Sequence, residues 1–561
     1  MEVAGLTIAA FNEVFVIGKF IRQVLIDARD QDNSFRKLES DFEHQQILLS
    51  TFGRRYLESR SISKIEHSLR DQIRKILGEL KRLVGEYGRL AARYDKEYAK
   101  ALEGVDKWWE TGIGSSGKPK DAGELKVIHL ESIEIPGPTK PVAHEKKHAQ
   151  GGLHLPRAQF SQKFSSLQWA LSNRERLESL VREHGDWVGK LVEIIKLDHF
   201  TRDGFSSNLS ELENFQRKDA KALGMSKITA TRMLFLDPSQ GKRVKLKSKL
   251  ITAHAPTNAA PPIGEGDLRN GKYNNQNVLI EYKSYPENSS DRVLEIAKGR
   301  IQFLSKLLGV ECRNGEPTRS NDFTLRCLGF FHKRRERLYG LAFALPQDRE
   351  PEPMSLHTAI GSLKRQSRPT LGQRFAIAHN IGYTLIEWFL VGWVHKSINS
   401  KNILFFHQES QGLDFDSPYL CGFEYARPAL DGTIYSDNGG SKGIHWNIYR
   451  HPDRQGLPTE AFRTIHDIYA FGVLLLELGL WRLAPELLDP TAKATPRVIH
   501  KTLVRNARER LGHFMGQNYR DAVLLCLESS LADELDDQKG SRLIATFKEK
   551  VVAILEEGRK L

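Results

Sequence analysis

The stretch Val394–Leu404, V-H-K-S-I-N-S-K-N-I-L, is a polar loop with apolar residues at both ends. His395 and Asn402 lie seven positions apart, and Ser397 lies between them. A serine hydroxyl is neutral near pH 7, and its pKa lies far from the range that suits a general base. The loop therefore brings polar side chains together without an acidic residue among them.

The loop resembles the protein-kinase catalytic loop, H-R-D-x-x-x-x-N. In that pattern the Asp orients the incoming hydroxyl group and the Asn holds a magnesium ion. His395 and Asn402 keep the pattern, whereas Ser397 replaces the Asp. The resemblance implies a kinase fold in which any phosphoryl transfer is slower by several factors of ten.

A second kinase-like segment is Pro418–Glu424, an apolar strand that runs into Gly-Phe-Glu where kinases have Asp-Phe-Gly. Gly422 then replaces the metal-binding Asp. Alternative metal ligands are Asp414, Asp416 and Glu424. We prefer Gly422 because Tyr419–Phe423 has strand character, whereas residues 413–418 are typical of a polar turn.

Upstream, Asn277–Lys283 resembles the kinase strand V-A-I-K, so Lys283 takes the place of the lysine that contacts nucleotide phosphates. The structural alternative is an ordinary lysine at the end of a strand. A partner acid should come from the next helix, which the apolar spacing predicts over Asp291–Leu308 with Asp291 as its cap. Glu295 is the nearest candidate for that acid.

Downstream, Asp467–Glu477 matches D-x-[WY]-S-x-G followed by an apolar helix. In kinases this Asp braces the backbone of the catalytic loop, so Asp467 has a structural role even where catalysis is lost. Tyr449–Asp453 stands where the activation segment would end. The resemblance implies ATP and Mg²⁺ as candidate cofactors, with Asn402 as the candidate metal ligand.

From about residue 242 to the last residue the chain looks like fungal kinase-like domains. The shared phrases are Val394–Phe406, Tyr419–Pro428 and Tyr449–Gly456. That family is predominantly degenerate in catalysis. The resemblance therefore leaves it open whether the chain is an enzyme, and it favours a pseudokinase.

The first 110 residues predict a bundle of long amphipathic helices. Apolar residues recur at helical spacing at Phe35, Phe42, Leu49, Phe52, Ile65, Leu69, Ile73, Leu77, Leu80 and Val84. A further helix is predicted over Leu167–Ile195. The opening segment, Leu6–Gly18, is apolar nearly all round but shorter than the roughly 18 to 20 residues that span a bilayer. A helix buried in the bundle is the favoured interpretation.

Met1–Leu6 and Trp169–Glu178 look like parts of the fungal HeLo domain, the prion-inhibition and propagation domain, over residues 1–215. The resemblance implies an all-helical domain. Some members permeabilise membranes when an apolar N-terminal segment is released. Asn12, Glu13 and Lys19 interrupt that segment here.

Length and composition fit a soluble protein of two or three domains, with 561 residues, 40% of them hydrophobic and 27% charged. The four cysteines form no C-x-x-C pair, which fits a reducing compartment. The expected fold class is an all-α bundle followed by a two-lobed α/β kinase-like domain. The predicted boundaries are 1–215 for the bundle with a flexible insertion at 111–156, 216–255 for a linker, and 256–561 for the kinase-like domain, whose small lobe covers 256–345 and large lobe 346–561.

The formal net charge of +13 is compatible with nucleic acid, anionic lipid or simple solubility. The basic run Lys242–Lys249 has no interleaved aromatic residues of the kind that stack on single-stranded nucleic acid, so no nucleic-acid partner is expected. We expect a protein partner, and a membrane surface is a candidate partner for the N-terminal helix. The expected location is cytoplasmic, with membrane association on activation.

The leading hypothesis is a signalling protein of the cell-death or incompatibility type, in which a degenerate kinase-like domain controls a helical effector. The first rival is an active atypical kinase with metal ligation through Asp414, Asp416 or Glu424. The second rival is a scaffold without catalysis.

Overall fold

The computed structural model describes residues 2–58, 65, 67–94, 174–201, 208–237, 245–253, 267–285, 287, 289–309, 323–408, 412–429, 447–455, 462–489, 495–528 and 541–561. The chain divides into two compact units. The first comprises residues 1–202 and 218–223, and the second comprises 203–217 and 224–561. The insertion predicted at 111–156 lies outside the described residues.

Among its described residues, the first unit contains four long helices. They are α1 (Glu2–Gln31), α2 (Arg36–Phe52), α3 (His67–Tyr94) and α4 (Arg174–Thr201), and a π-helical stretch, Gly53–Glu58, continues α2. Helix α1 packs against α2 and α3, and α4 packs against the same two helices. The prediction of a helical N-terminal part is confirmed.

The opening segment of the chain forms α1, and its apolar face is buried. Phe11, Val14 and Ile17 are each at most 1% exposed. The polar residues that interrupt the segment lie at its edge, where Glu13 forms an ion pair of 2.7 Å with Lys81. The bundle therefore stabilises α1 mainly by removing its apolar side chains from water. Within the described residues, no helix combines the length and hydropathy needed to cross a bilayer.

A polar pair lies in the core of this bundle. The Nδ1 atom of His184 lies 2.7 Å from Oε1 of Gln45, and the amide of Gln45 donates to the carbonyl of Val181 at 2.9 Å. His184 is fully buried against the ring of Phe42. Burial lowers the pKa of His184 to about 3, so its imidazole is neutral in the folded protein.

Because His184 is buried in its neutral form, we expect the stability of the first unit to fall in acid. The unfolded chain binds a proton at His184 below about pH 6.5, whereas the folded chain binds it only below about pH 3. The free energy of unfolding therefore falls as the pH falls through 6.5, by about 2 kcal/mol between pH 7 and pH 5. Urea unfolding monitored by circular dichroism at several pH values measures it.

The matched control for that experiment is His67, whose side chain is 79% exposed. We expect His184→Gln to reduce the pH dependence of the free energy of unfolding of the first unit. His67→Gln should leave that pH dependence unchanged. An unchanged slope in His184→Gln contradicts the assignment.

The second unit contains a five-stranded antiparallel sheet in the order β1-β2-β3-β5-β4. The strands are β1 (Ile251–Ala253), β2 (Asp267–Tyr273), β3 (Gln276–Ser284), β4 (Cys327–Lys333) and β5 (Leu338–Ala344). Asn274 and Asn275 join β2 to β3 with φ of 48° and 66°. Asparagine tolerates this left-handed conformation, which a two-residue hairpin turn requires.

Helix α7 (Asp291–Leu307) packs on β4 and β5. Its cap is Ser290, whose hydroxyl accepts from the N–H of Val293. The prediction that Asp291 caps the helix is wrong, because Asp291 already lies in the first turn. Ser290 has the extended backbone that a cap requires, and its short hydroxyl reaches the free N–H groups.

The remainder of the second unit is mostly helical. Its helices are α5 (Leu209–Lys218), α6 (Ser226–Leu236), α8 (Leu356–Ser362), α9 (Leu371–Val391), α10 (Thr464–Leu480), α11 (Pro496–Asn506), α12 (Gly512–Met515), α13 (Gln517–Leu527), α14 (Ser541–Phe547) and α15 (Ala553–Glu557). Its short strands are β6 (Met354–Ser355), β7 (Trp393–Val394), β8 (Ile403–Phe405), β9 (His407–Gln408), β10 (Gly412–Leu413), β11 (Tyr419–Leu420) and β12 (Arg427–Pro428). Helix α10 is buried from residue 465 to 480 and packs against α9 and α13.

The stretch predicted as a linker, residues 216–255, contains α6 and β1. Arg232 of α6 is 1% exposed, and its guanidinium donates to the carbonyls of Leu390 and Val391 at the end of α9. These carbonyls have no partner within their own helix, so Arg232 satisfies them. Helix α6 is therefore part of the core of the second unit. A linker was predicted because a single helix of eleven residues carries little periodic signal.

Candidate functional site

The loop between β7 and β8 is held by the first turn of α10. Asp467, which is fully buried, accepts the N–H of His395 at 2.6 Å and the N–H of Lys396 at 2.8 Å. Burial raises the pKa of Asp467 to about 7, against the two N–H groups and the charge of Lys396, which lower it. Lys396 has φ of 67°, a conformation that costs about 1 kcal/mol or more for a residue with a side chain. Asp467 thus stabilises a strained backbone.

The same loop is closed on itself by Asn402. The amide nitrogen of Asn402 donates to the carbonyl of Ser397 at 2.8 Å and lies 3.0 Å from the Ser397 hydroxyl. Ser397 is 7% exposed. The side chain of Asn399 accepts the N–H groups of Lys401 and Asn402 at 2.9 and 3.2 Å. The side chains of Asn399 and Asn402 are therefore engaged within the loop.

His395 lies in an aromatic core. Its ring centroid is 5.0 Å from that of Phe423 and 6.0 Å from that of Trp388, and its Nδ1 atom accepts the N–H of Ser397 at 3.3 Å. Burial lowers the pKa of His395 to about 3. A neutral imidazole at full burial supports the loop by packing rather than by acid–base chemistry.

Gly422 has a left-handed backbone that favours glycine and lies against the side chain of Asn402. Its φ is 82°, and a Cβ atom built on it would lie 2.2 Å from the amide nitrogen of Asn402. The side chain of Asn402 thus fills the space in which an aspartate at position 422 would stand. No carboxylate can reach a metal from this position without moving Asn402.

The segment that follows Gly422 is attached to strand β3. The N–H of Gly422 donates to Oε2 of Glu281 at 3.1 Å, and the ammonium group of Lys283 donates to the carbonyl of Glu424. Because side chains two residues apart in a strand lie on one face, Glu281 and Lys283 reach the same segment. Phe423 lies between Gly422 and Glu424 in the sequence, and its ring stacks on that of Trp388 with the centroids 5.1 Å apart.

Burial shifts the pKa of both strand residues. It raises the pKa of Glu281 to about 8, which the nearby Glu424 reinforces, and it lowers the pKa of Lys283. Glu281 is 3% exposed and was missed by sequence reasoning. The signal that could have revealed it is an acid within an otherwise apolar strand, two residues before the lysine.

Glu295, the acid predicted to pair with Lys283, is not among the charged groups that act on it. It is on the exposed side of α7, and the charged groups that act on Lys283 are Glu424, Arg300 and Glu281. The structure therefore brings Lys283 together with Glu281 and the 422–424 segment, and it does not bring Glu295 to them. The apolar positions of α7 face the sheet, and Glu295 lies beside that stripe rather than in it.

Of the alternative metal ligands, Asp414 and Asp416 lie in one turn, whereas Glu424 lies in the segment that Lys283 contacts. Asp414 accepts the guanidinium of Arg349 and the N–H of Asp416, at 2.9 and 3.1 Å, in the turn that precedes β11. Across the parts of the chain that the structure describes, no three His, Cys, Asp or Glu side chains are grouped to hold a metal ion. The residues present do not fit the magnesium ion that a kinase site implies. The ammonium group of Lys283 donates to the backbone carbonyl of Glu424.

Two family models match the chain. Residues 20–219 match the model described as prion-inhibition and propagation, HeLo, and residues 322–557 match a domain of unknown function, DUF7580. The chain therefore contains a HeLo domain, which indicates an effector role of the cell-death or incompatibility type. The second match names no activity. None of the curated proteins compared with the chain matches it.

Proposed function

We propose that the HeLo domain is the effector of a signalling protein and that the second unit is a catalytically degenerate kinase-like module that controls it. The protein resides in the cytoplasm and associates with a membrane surface when the effector is activated. The kinase-like unit does not transfer phosphoryl groups in this proposal, and it responds to a partner instead.

Three features support the kinase-like interpretation. A five-stranded antiparallel sheet carries a single packed helix, as in a kinase small lobe. A lysine on the third strand reaches the segment that follows Leu420. A buried aspartate on an apolar helix holds the backbone of the loop that carries His395 and Asn402.

The observation that carries the loss of catalysis is the contact between Gly422 and Asn402. The place of the metal-binding acid is filled by the amide that should itself hold a metal. The catalytic acid is also replaced, by a serine whose hydroxyl lies beside the same amide. Groups that would act on ATP and Mg²⁺ instead hold the loops of the protein together.

We expect the full chain to show no phosphoryl transfer with Mg²⁺ or Mn²⁺, and no dependence of ATP binding on either metal. Phosphoryl transfer is measured with radiolabelled ATP, using the chain itself and a general protein as acceptors. ATP binding with and without each metal is measured by calorimetric titration. Ser397→Asp is expected to restore nothing, because Gly422 still supplies no metal ligand.

Lys283→Met is the control for a trace of genuine activity. Phosphoryl transfer that is present in the natural chain and lost in Lys283→Met would establish the atypical kinase and overturn this proposal. Transfer that persists in Lys283→Met comes from a contaminating kinase.

The effector role predicts an effect at Val16, a half-buried residue of α1. Dye leakage from anionic liposomes on addition of the full chain is expected to fall at least fivefold in Val16→Glu. The reason is that a carboxylate in the hydrocarbon region costs roughly 2 kcal/mol or more. Gln23→Glu, on the exposed side of the same helix, is the matched control. Equal leakage from both variants would favour the scaffold hypothesis.

A further inference from the structure

A short segment before β1 crosses one face of the five-stranded sheet. At one end the N–H of Leu246 donates to the carbonyl of Phe330, in the edge strand β4, at 2.8 Å. At the other end the carbonyl of Leu250 accepts the N–H of Asn274, in the turn between β2 and β3, at 3.2 Å. Residues 245–250 are called the crossing segment below. Its backbone is tied to the sheet at both ends.

The crossing segment covers the face of the sheet that is opposite to the candidate site. Leu246 packs against a buried cluster that contains Ile280 and Tyr282 of β3. These two side chains lie on the other face of the strand from Glu281 and Lys283, because successive residues of a strand alternate. A partner on this outer face would therefore not touch the groups of the candidate site.

The outward side of the crossing segment is basic. Its sequence is K-L-K-S-K-L, and Lys245, Lys247 and Lys249 are all exposed. Leu250, its last residue, keeps 43% of its surface exposed. The segment therefore presents three ammonium groups and one leucine to solvent.

The turn between β4 and β5 adds two further cations, Arg334 and Arg335, which are both exposed. Burial lowers the pKa of His332, near the end of β4, and the charges of Arg334 and Lys245 lower it further. The turn and the crossing segment thus act on the same side chain and meet at the edge of β4. Together they form a basic surface, defined by Lys245, Lys247, Lys249, Leu250, Arg334 and Arg335.

The five cations of the basic surface are not neutralised within the described parts of the chain, where their side chains form no hydrogen bond or ion pair. By contrast, Lys333 and Arg337 of the same turn are paired with Glu336 and Glu287, so they are left out of the surface. Lys298 is left out as well, because its helix, α7, also carries exposed acids.

The sequence on either side of the crossing segment does not reverse this excess of positive charge. Residues 238–244, which precede it, contain two cations and no acid, and residues 254–266, which follow β1, contain one acid. Residues 310–322 contain three acids and two arginines. They connect α7 to β4 at the opposite end of β4 from His332, where the N–H of Cys327 donates to the carbonyl of Leu308.

The arrangement of the cations suits an anionic membrane better than a single bound anion. From β4 to the turn between β2 and β3 the segment passes three strand spacings, roughly 14 Å, so its charges address several headgroups at once. Lysines are flexible point charges that impose no fixed geometry on their partners. An exposed leucine beside them suits the boundary between headgroups and acyl chains.

We propose that the basic surface docks the second unit on an anionic membrane, with its five cations on the headgroups and Leu250 at the acyl boundary. In locating where the chain meets the membrane, the inference rests on the proposed function. It concerns a surface of the second unit and not α1, so the two can fail separately.

The experiment is co-sedimentation of the full chain with vesicles of pure phosphatidylcholine and with vesicles that contain about 30% phosphatidylserine. Each basic side chain near an anionic surface strengthens binding about fivefold. Lys245→Gln/Lys247→Gln/Lys249→Gln is therefore expected to weaken binding to the anionic vesicles about twentyfold or more. Leu250→Ser is expected to weaken it about threefold, through the loss of apolar contact.

The matched control removes the same charge from α11, where Arg497, Lys501 and Arg505 are exposed. Arg497→Gln/Lys501→Gln/Arg505→Gln is expected to weaken binding less than about threefold, because charges away from the docked surface are screened. Melting temperatures show that each variant folds. Equal losses in the two triple variants, or equal binding of the natural chain to both kinds of vesicle, overturn the proposal.

An acidic protein segment is the other partner that the charge of this surface would suit. A decapeptide of glutamate is the probe for it. If the natural chain binds this peptide and not the anionic vesicles, and the lysine variant binds neither, the surface belongs to an acidic protein partner and the membrane proposal is overturned.

Val16→Glu separates docking from the effector step. It is expected to keep its binding to anionic vesicles while dye leakage falls. Binding that is lost in Val16→Glu and kept in the lysine variant would assign the contact to α1 and overturn this proposal. Equal leakage from Val16→Glu and Gln23→Glu would overturn the effector role and leave the docking surface standing.

Discussion

Gly422→Ala is expected to lower the free energy of unfolding of the second unit by about 2 to 5 kcal/mol. The left-handed backbone at this position costs about 1 to 2 kcal/mol for a residue with a side chain. The new Cβ atom would also lie 2.2 Å from the amide nitrogen of Asn402 and must displace it. The displaced amide loses its hydrogen bond to Ser397, and a buried group left unsatisfied costs about 1 to 3 kcal/mol.

Gly412 supplies the matched control. Its φ is 86°, and a Cβ atom built on it meets nothing within 4 Å. Gly412→Ala therefore carries the backbone penalty alone, about 1 kcal/mol. Denaturant unfolding of both variants separates the cost of the left-handed backbone from the cost of the contact with Asn402.

A second variant tests the contact itself. If the side chain of Asn402 fills the space beside Gly422, Asn402→Ala removes much of the penalty of Gly422→Ala, and a double-mutant cycle shows a large coupling. If Gly412→Ala and Gly422→Ala lower the free energy of unfolding equally, and the double-mutant cycle is additive, Asn402 does not fill the space beside Gly422. Gly422→Asp is expected to be at least as destabilising and to create no metal site.

Asp467→Ala is expected to destabilise the second unit by about 3 to 5 kcal/mol. The substitution leaves the buried N–H groups of His395 and Lys396 without the acceptor that they share. It also removes the group that holds Lys396 at positive φ. Thermal and urea unfolding measure the loss of stability.

The control for this prediction is Asp521→Ala, which removes an exposed carboxylate from α13. A surface substitution of this kind changes stability by about 0.5 kcal/mol or less. The stability of Asp467→Asn should lie between those of Asp467→Ala and Asp521→Ala. The asparagine amide keeps one acceptor oxygen, but its NH2 group faces the second backbone N–H, which is also a donor. Stability of Asp467→Ala equal to that of Asp521→Ala would show that the two hydrogen bonds do not support the loop.

Several parts of the fold followed from local sequence patterns. The spacing of apolar residues predicted the helical N-terminal part, because helix formation depends on neighbours three and four positions apart. The strand at Gln276–Ser284 was expected over Asn277–Lys283 from the resemblance to the kinase strand. The boundaries and caps were less accurate, as Ser290 shows, because they depend on which single side chain reaches a free N–H group.

The contents of the candidate site could be predicted only in part. The spacing of His395, Ser397 and Asn402 indicated a kinase-like loop without its acid, and the match around Asp467 indicated a structural role. Glu281 was not identified, because its neighbours in space are distant in the sequence. The hydrogen bond between Gly422 and Glu281 joins residues 141 positions apart.

The sequence by itself determined the helical character of the first unit and the absence of an acid at positions 397 and 422. Only the tertiary structure decided that Asn402 fills the space beside Gly422 and that Lys283 contacts a carbonyl rather than Glu295. The physical reason is that periodicity and residue type act over a few neighbouring positions, whereas hydrogen bonding, burial and charge depend on segments that meet only when the chain folds.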